Sequence, residues 1–349
     1  MKSLVNQFLS TNETPKYVFG INPYTDDLID YLKGKNVVIK GLIDLIHPIE
    51  SYKEYPIIHD LESLEKNAIV LNTVTMAYPR TINKKIKSYG IQALDLFSFL
   101  RYSDCEIEIN FWKGFKESYK DRKNDYDAVY AKLEDEESRV TFNSLVEFKI
   151  NHNFDVMTRF TDKQKEQYFE PFLNLQEKGE VFVDVGGFDG LNSIEFAKRC
   201  PQYDKIYFLE PDAKILEGAK ESLKTLSNIE FHETAASDKK CILHFESNGM
   251  VSKISDGGDI EIHADAIDNI IHDKVTFMKM DIEGAESSAL TGAKELISKY
   301  HPRLAVSVYH KGSDFIEIPK LVLGLYSNYK LYMRHYTEGI AETVMFFIP

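Results

Sequence analysis

The chain has 349 residues, 43% of them hydrophobic, which is enough to bury a large core and suggests two domains or one large one. Its formal net charge of −13 leaves no global basic surface to neutralise duplex phosphates, so nucleic acid is not an expected partner, although a local basic patch stays open. Cys105, Cys200 and Cys241 lie far apart with no CxxC or zinc-ligand spacing and read as ordinary thiols of a reducing compartment. The N-terminal segment lacks the long apolar core of a signal peptide, and no run of about 18 apolar residues occurs, so a cytoplasmic protein without a membrane span is expected.

The first elements in chain order are short strand-like runs: KYVFG (Lys16 to Gly20), NVVIKGLID (Asn36 to Asp44) and NAIVLNT (Asn67 to Thr73). They alternate with helix-like DDLIDYLKG, LESLEKN and PRTINKKIKSYG, which predicts a small βαβ, Rossmann-like domain over residues 1–104. Its glycine fingerprint is poor. After the first strand only Gly20 is present, in GINPYTDD, where a dinucleotide site needs two further glycines and no Pro23. The unit is expected to bind protein or present substrate, and to support homo-oligomerisation. With GLID and YPIIHDLESL it resembles the small domain that precedes catalytic units in some sugar-modifying proteins.

Residues 105–178 are charged and aromatic, with apolar residues at three- and four-residue spacing, and read as a helical bridge. The acidic run EDEES reads as a solvated helix face or turn. RFTDKQKEQYFEPF, with Tyr168 and Phe169, either covers a ligand cleft or packs beneath the next sheet.

Residues 179–349 hold seven strand candidates: EVFVDVG, KIYFLEP, IEFHETAAS, KVTFMKMD, PRLAVSVYH, YKLYMRHY and ETVMFFIP. Helical stretches separate most of them. The first five are apolar on both faces, as in a sheet covered by helices on both sides. The last two are joined by a loop too short for a helical crossover and should form an antiparallel hairpin at the sheet edge.

The turn after the first of these strands, Asp184 to Gly190, is acidic and glycine-lined. Phe188 stands where a dinucleotide fingerprint requires its second glycine, and an acid such as Asp184 would repel a pyrophosphate while suiting a cationic ligand. Glu210, followed by Pro211, lies about 20 residues beyond Gly190, where a carboxylate accepts ribose hydroxyls. A nucleoside bearing a sulfonium and an ammonium, S-adenosylmethionine, fits this set better than NAD. Each piece has a bland alternative: glycines for tight packing, Asp212 as a helix cap, and Asp265 as a turn or capping residue.

The ordered set VFVDVGGFDG, FLEPD, AASD, KMDIEGAE, LTGAKELI and LAVSVYH resembles the FkbM family of S-adenosylmethionine-dependent O-methyltransferases. That resemblance implies an α/β fold with the seven-stranded class I methyltransferase Rossmann-like sheet and its antiparallel terminal hairpin. It implies transfer of a methyl group to a hydroxyl of a saccharide or related polar metabolite, commonly in bacterial surface-glycan biosynthesis. Asp184, Gly186, Gly187, Phe188 and Gly190 would then line the cofactor turn. Glu210 and Pro211 would lie at the ribose, and Ala235 and Ala236 beside the adenine.

Methyl transfer needs an acceptor oxygen held in line and relieved of its proton. Asp281 and Glu283 at the end of MKMDIEG, and His310 at the end of SVYH, are the candidate catalytic residues, with Asp281 also lining the cofactor crevice. His310 is expected as base and Asp281 as its partner. Asp281 and Glu283 alone are too thin a ligand set to assign a divalent metal. The alternatives are an NAD-dependent sugar epimerase or dehydrogenase and a non-catalytic scaffold of a glycan pathway.

Overall fold

The computed structural model of the chain describes residues 1–10, 13–248, 251–254 and 260–349. Two compact units result. Residues 1–116, 142–164 and 335–342 form one, and residues 117–141, 165–334 and 343–349 the other.

The first unit is built on a six-stranded sheet: β1 (Lys16–Phe19), β2 (Gly41–Ile43), β3 (Ser51–Tyr52), β4 (Tyr55–Ile58), β5 (Ile69–Asn72) and β6 (Gln92–Asp95), in the order β3-β4-β2-β1-β5-β6. Strands β4, β2, β1, β5 and β6 are parallel, and β1 and β5 are buried along their whole length. Two expected helices form, Thr25–Gly34 and Pro79–Ser88. LESLEKN does not: Asp60 Oδ1 accepts the Ser63 N–H, turning the chain while Leu61 and Leu64 enter the core. Strands β3, β4 and β6 have no counterpart among the expected runs, and of NVVIKGLID only Gly41–Ile43 is strand. Residues 336–342 complete this unit. There the Glu338 carboxylate accepts from the Thr81 N–H and hydroxyl, and the Ile340 N–H donates to the Thr75 carbonyl.

All seven strand candidates of the C-terminal region enter one sheet of the second unit: β7 (Val181–Val185), β8 (Lys205–Leu209), β9 (Ile229–His232), β14 (Phe277–Met280), β15 (Arg303–Ser307), β16 (Lys330–His335) and β17 (Thr343–Ile348). Their order is β16-β17-β15-β14-β7-β8-β9, parallel from β15 to β9, with β17 antiparallel to β15. β7, β8, β14 and β15 are almost wholly buried, as continuous apolar runs require, whereas the edge strand β9 is only half-buried.

A second sheet was not legible in the sequence. It comprises β10 (Ala235–Ala236), β11 (Cys241–Asn248), β12 (Val251–Ile254) and β13 (Ile260–Asp265), in the order β10-β13-β11-β12. The expected strand IEFHETAAS therefore divides between two sheets. Among the described residues, no helix is long and apolar enough to cross a membrane.

Residues 105–178 are helical for much of their length, with helices Phe115–Asp121, Lys123–Lys132 and Glu136–Asn151. EDEES is more than a solvated face. Asp135 accepts the Ser138 N–H and pairs with the buried Arg334, which together hold its carboxyl down at about 2 against the opposing effect of burial.

Candidate functional site

Strands β15, β14, β7 and β8 are consecutive neighbours, so the residues following each of them share one end of the sheet. From β7 the chain continues to β8 on one side, and β14 arrives later on the other. The β7/β14 boundary is thus a topological switch point, where ligands bind in open α/β sheets. The turn Gly186–Gly190, Glu210, Asp281 and His310 all converge there.

The glycines of the turn have packing reasons of their own. Gly186 has φ +75°, and a Cβ on it would stand 2.1 Å from the Asp281 carbonyl oxygen across the switch point. A Cβ on Gly187 would strike the Phe208 ring at 2.3 Å, and one on Gly190 would meet Leu223. Phe188 also has positive φ and is 60% exposed.

Asp184 departs from expectation. It does not present an available charge to a ligand: it is fully buried, accepts from Ser193 Oγ at 2.8 Å, and lies 3.2 Å from the Lys279 ammonium. Lys279 is its register partner on β14 and also donates to the Gly186 carbonyl at 2.6 Å. The pair clamps the turn. A lysine inside the buried strand FMKM was the available signal, because a buried ammonium requires a partner.

Glu210 is 6% exposed, and its two oxygens accept the Phe188 and Asp212 N–H groups, each at 3.0 Å. Burial pushes its carboxyl up, against the effect of these two donors. Each oxygen keeps a second lone pair for a ligand hydroxyl. Pro211 follows half-buried, and Asp212 caps the next helix by accepting from Lys214 and Ile215. Ala235 and Ala236 pair with Ala264 and Asp265 in the small sheet. Asp265 accepts from Ala266 and Asn269 and has the turn role expected of it.

Asp281 directly follows β14. Its Oδ2 accepts the Tyr168 hydroxyl at 2.6 Å, and Tyr168 also lies 3.2 Å from Ser307 Oγ. Tyr168 is buried, with φ +69°, and Phe169 packs edge-on against Phe277. The segment thus reaches the site with one aromatic residue and packs on the sheet with the other.

His310 is buried, but the expected pairing through Asp281 is incomplete. Nδ1 lies 2.9 Å from Glu286 Oε1, while Nε2 faces Asp281 Oδ1 at 3.4 Å and Glu283 Oε2 at 3.5 Å. Burial opposes a charge on the ring, yet the Glu286 hydrogen bond and the three carboxylates outweigh it and push the imidazole up to about 9. Glu286 is buried as well. Its Oε1 accepts the Ile282 and Gly284 N–H groups, and although burial would raise its carboxyl, His310 and these donors hold it low. From the sequence alone, Glu286 reads only as an acid in the first turn of a helix, favoured there by the dipole. Nothing in DIEGAE distinguishes it from Glu283, because positive φ at Glu283 and Gly284 decides which carboxylate turns inward.

The family model described as the methyltransferase FkbM domain matches residues 184–335. No curated protein matches the chain. Among solved structures, the FkbM methyltransferase from Methylobacillus flagellatus KT is similar over 99% of this chain and 92% of its own, with TM-score 0.75 and 21% identity. That likeness is one of fold. An rRNA methylase from Streptococcus thermophilus aligns over 57% of this chain and 95% of its own at 14% identity, TM-score 0.34. The Aeropyrum pernix fibrillarin solved with natively bound S-adenosyl-L-methionine aligns over 50% of this chain and 69% of its own at 11% identity, TM-score 0.34.

Proposed function

We propose, from the match of residues 184–335 to the methyltransferase FkbM domain, that the chain transfers a methyl group from S-adenosylmethionine to a hydroxyl of a saccharide or related polar metabolite. The observation that carries this reading is the convergence of Glu210, the Gly186–Gly190 turn, Asp281 and His310 at four neighbouring strand ends. The donor set fits a cationic nucleoside. Glu210, Asp281, Glu283 and Glu286 stand at this end of the sheet, and the Lys279 ammonium is engaged by Asp184 and the Gly186 carbonyl rather than offered to a phosphate.

In this reading Glu210 holds the ribose hydroxyls, and the turn together with Asp281 lines the rest of the nucleoside, with Pro211, Ala235 and Ala236 around the base. When bound, the sulfonium supplies an already activated methyl group. The chain's own residues then have two tasks: to orient the acceptor hydroxyl and to receive its proton. Asp281 and Glu283 are placed for the second, because His310, raised to about 9, already carries both ring protons near neutral pH; Glu286 fixes the imidazole and Tyr168 fixes Asp281. The acceptor is a small molecule or glycan, in a cytoplasmic surface-glycan pathway, and the first unit serves acceptor presentation or self-association.

Incubating the full chain with methyl-labelled S-adenosylmethionine and a panel of hydroxylated glycans and metabolites tests the reading by mass spectrometry. A product gaining one labelled methyl on oxygen supports it. Labelled methyl on nitrogen or carbon, or NAD-dependent oxidation of the same panel, would replace it.

A further inference from the structure

One ligand atom from each of Asp281, Glu286 and His310 lies within 4.8 Å of the others. Two of the three residues are buried; the exposed Glu283 faces the imidazole Nε2, as Asp281 does, while Glu286 sits on Nδ1. Two carboxylate oxygens here are buried without accepting a hydrogen bond: Asp281 Oδ1 and Glu286 Oε2. Glu286 is only 1% exposed, so its second oxygen has no recourse to bulk water.

We propose that this cluster binds one divalent cation on the Nε2 side of the imidazole, with Asp281, Glu283 and His310 as ligands and Glu286 holding the ring through Nδ1. The spacing suits it: the separations of 3.4 and 3.5 Å from Nε2 to Asp281 and Glu283 are near the roughly 3.0 to 3.4 Å between adjacent ligands of a first-row ion with bonds of about 2.1 Å.

Charge gives an independent reason. Three carboxylates surround one imidazole, which can supply at most a single positive charge, so a surplus of negative charge stands in a mostly buried place. A divalent ion offsets it. Carboxylate oxygens with an imidazole nitrogen match Mn²⁺ or Zn²⁺ better than a soft ion. The Tyr168 hydroxyl on Asp281 Oδ2 is the kind of outer contact that orients a metal-binding carboxylate.

The chemical consequence, though not the existence of the site, rests on the methyl-transfer reading. The ion would polarise the acceptor hydroxyl and lower its pKa. As the oxygen–methyl bond forms and the methyl–sulfur bond breaks, the electron pair goes to sulfur and the hydroxyl proton leaves to Glu283 or solvent.

The test is calorimetric titration of the chelator-dialysed full chain with MnCl₂ and, separately, ZnCl₂, with Mn²⁺ electron paramagnetic resonance as a second readout. One site per chain is expected, with affinity lowered at least about tenfold in Asp281→Asn and in Glu283→Gln. Glu283 is exposed, so its variant answers even if Asp281→Asn misfolds by circular dichroism. No binding of either ion at millimolar concentration, or unchanged affinity in Glu283→Gln and folded Asp281→Asn, overturns the proposal. Ion binding by a chain that ignores S-adenosylmethionine would keep this site and sink the methyl-transfer reading; S-adenosylmethionine binding with no ion bound would do the reverse.

Discussion

The molecule contains two parallel sheets with the same opening move, a buried strand running through a glycine turn towards a helix, and they treat that turn differently. In the first unit, β1 lies between β2 and β5, so the switch point falls beside Gly20. Asn22 fills it: its Nδ2 donates to the Thr73 carbonyl at 3.0 Å and to Thr73 Oγ1 at 2.7 Å. In the second unit, the turn after β7 is held from behind, by Lys279 on the Gly186 carbonyl and Glu210 on the Phe188 N–H. Phe188 is left exposed. A switch point therefore marks where a ligand can bind, and the side chains of its turn decide whether anything does.

The largest effect expected from this contrast is at Gly186. A methyl there meets the Asp281 carbonyl in a backbone conformation that disfavours side chains, so Gly186→Ala should cost roughly 4 kcal/mol and abolish S-adenosylmethionine binding. Gly20→Ala, also at positive φ, should weaken only the first unit and leave that affinity within about twofold. Denaturant unfolding combined with ligand titration reads both, and equal loss of affinity in the two variants would erase the contrast.

Lys279→Met comes next, at about 3 kcal/mol, because it strands the Asp184 carboxylate in the core. Adding Asp184→Asn should recover part of that stability. A double variant no more stable than the single would show that the pair does not hold the turn.

Removing the Asn22 side chain with Asn22→Ala should cost the first unit about 1 to 2 kcal/mol through its lost hydrogen bonds. It should not create an NAD site, because Pro23 and the missing glycines remain. NAD binding to this variant, by calorimetry, would mean that Asn22 alone closes an otherwise competent turn.

The smallest expected effect is an opposite pH response of the two units in the cation-free protein. In the first, burial, with Lys149 adding to it, pushes His335 down to about 3, so the folded state prefers the neutral ring. Its contribution is present above the unfolded value of about 6.5 and is lost as pH falls from there towards 3. His310, raised to about 9, contributes below 6.5 and loses its contribution as pH rises through 9. Thermal melts should show acid lowering the first unit's midpoint and mild alkali the second's, each by roughly a few degrees. Identical pH profiles would refute the opposition.

Much of this was legible in the sequence because buried parallel strands write themselves as apolar runs: β7, β8, β14 and β15 were readable for that reason. The small sheet was not, since IEFHETAAS shows no break where Ala235 leaves β9's sheet. LESLEKN has helical spacing, but one Asp60 hydrogen bond outweighs a propensity spread over a single turn. At the site, Asp281, Glu283 and His310 were found together because strand ends are predictable. Lys279 and Glu286 were missed because their roles depend on register and on two positive φ angles, neither of which composition encodes.

The central claim is that the second unit's open turn, and not the first's, holds a cationic nucleoside through Glu210. Equilibrium titration of the full chain with S-adenosylmethionine and with NAD, alongside Glu210→Gln, tests it most directly. One S-adenosylmethionine site per chain is expected, weakened about tenfold or more in the variant, with no NAD bound. Unchanged affinity in Glu210→Gln, or NAD bound in place of S-adenosylmethionine, would contradict it.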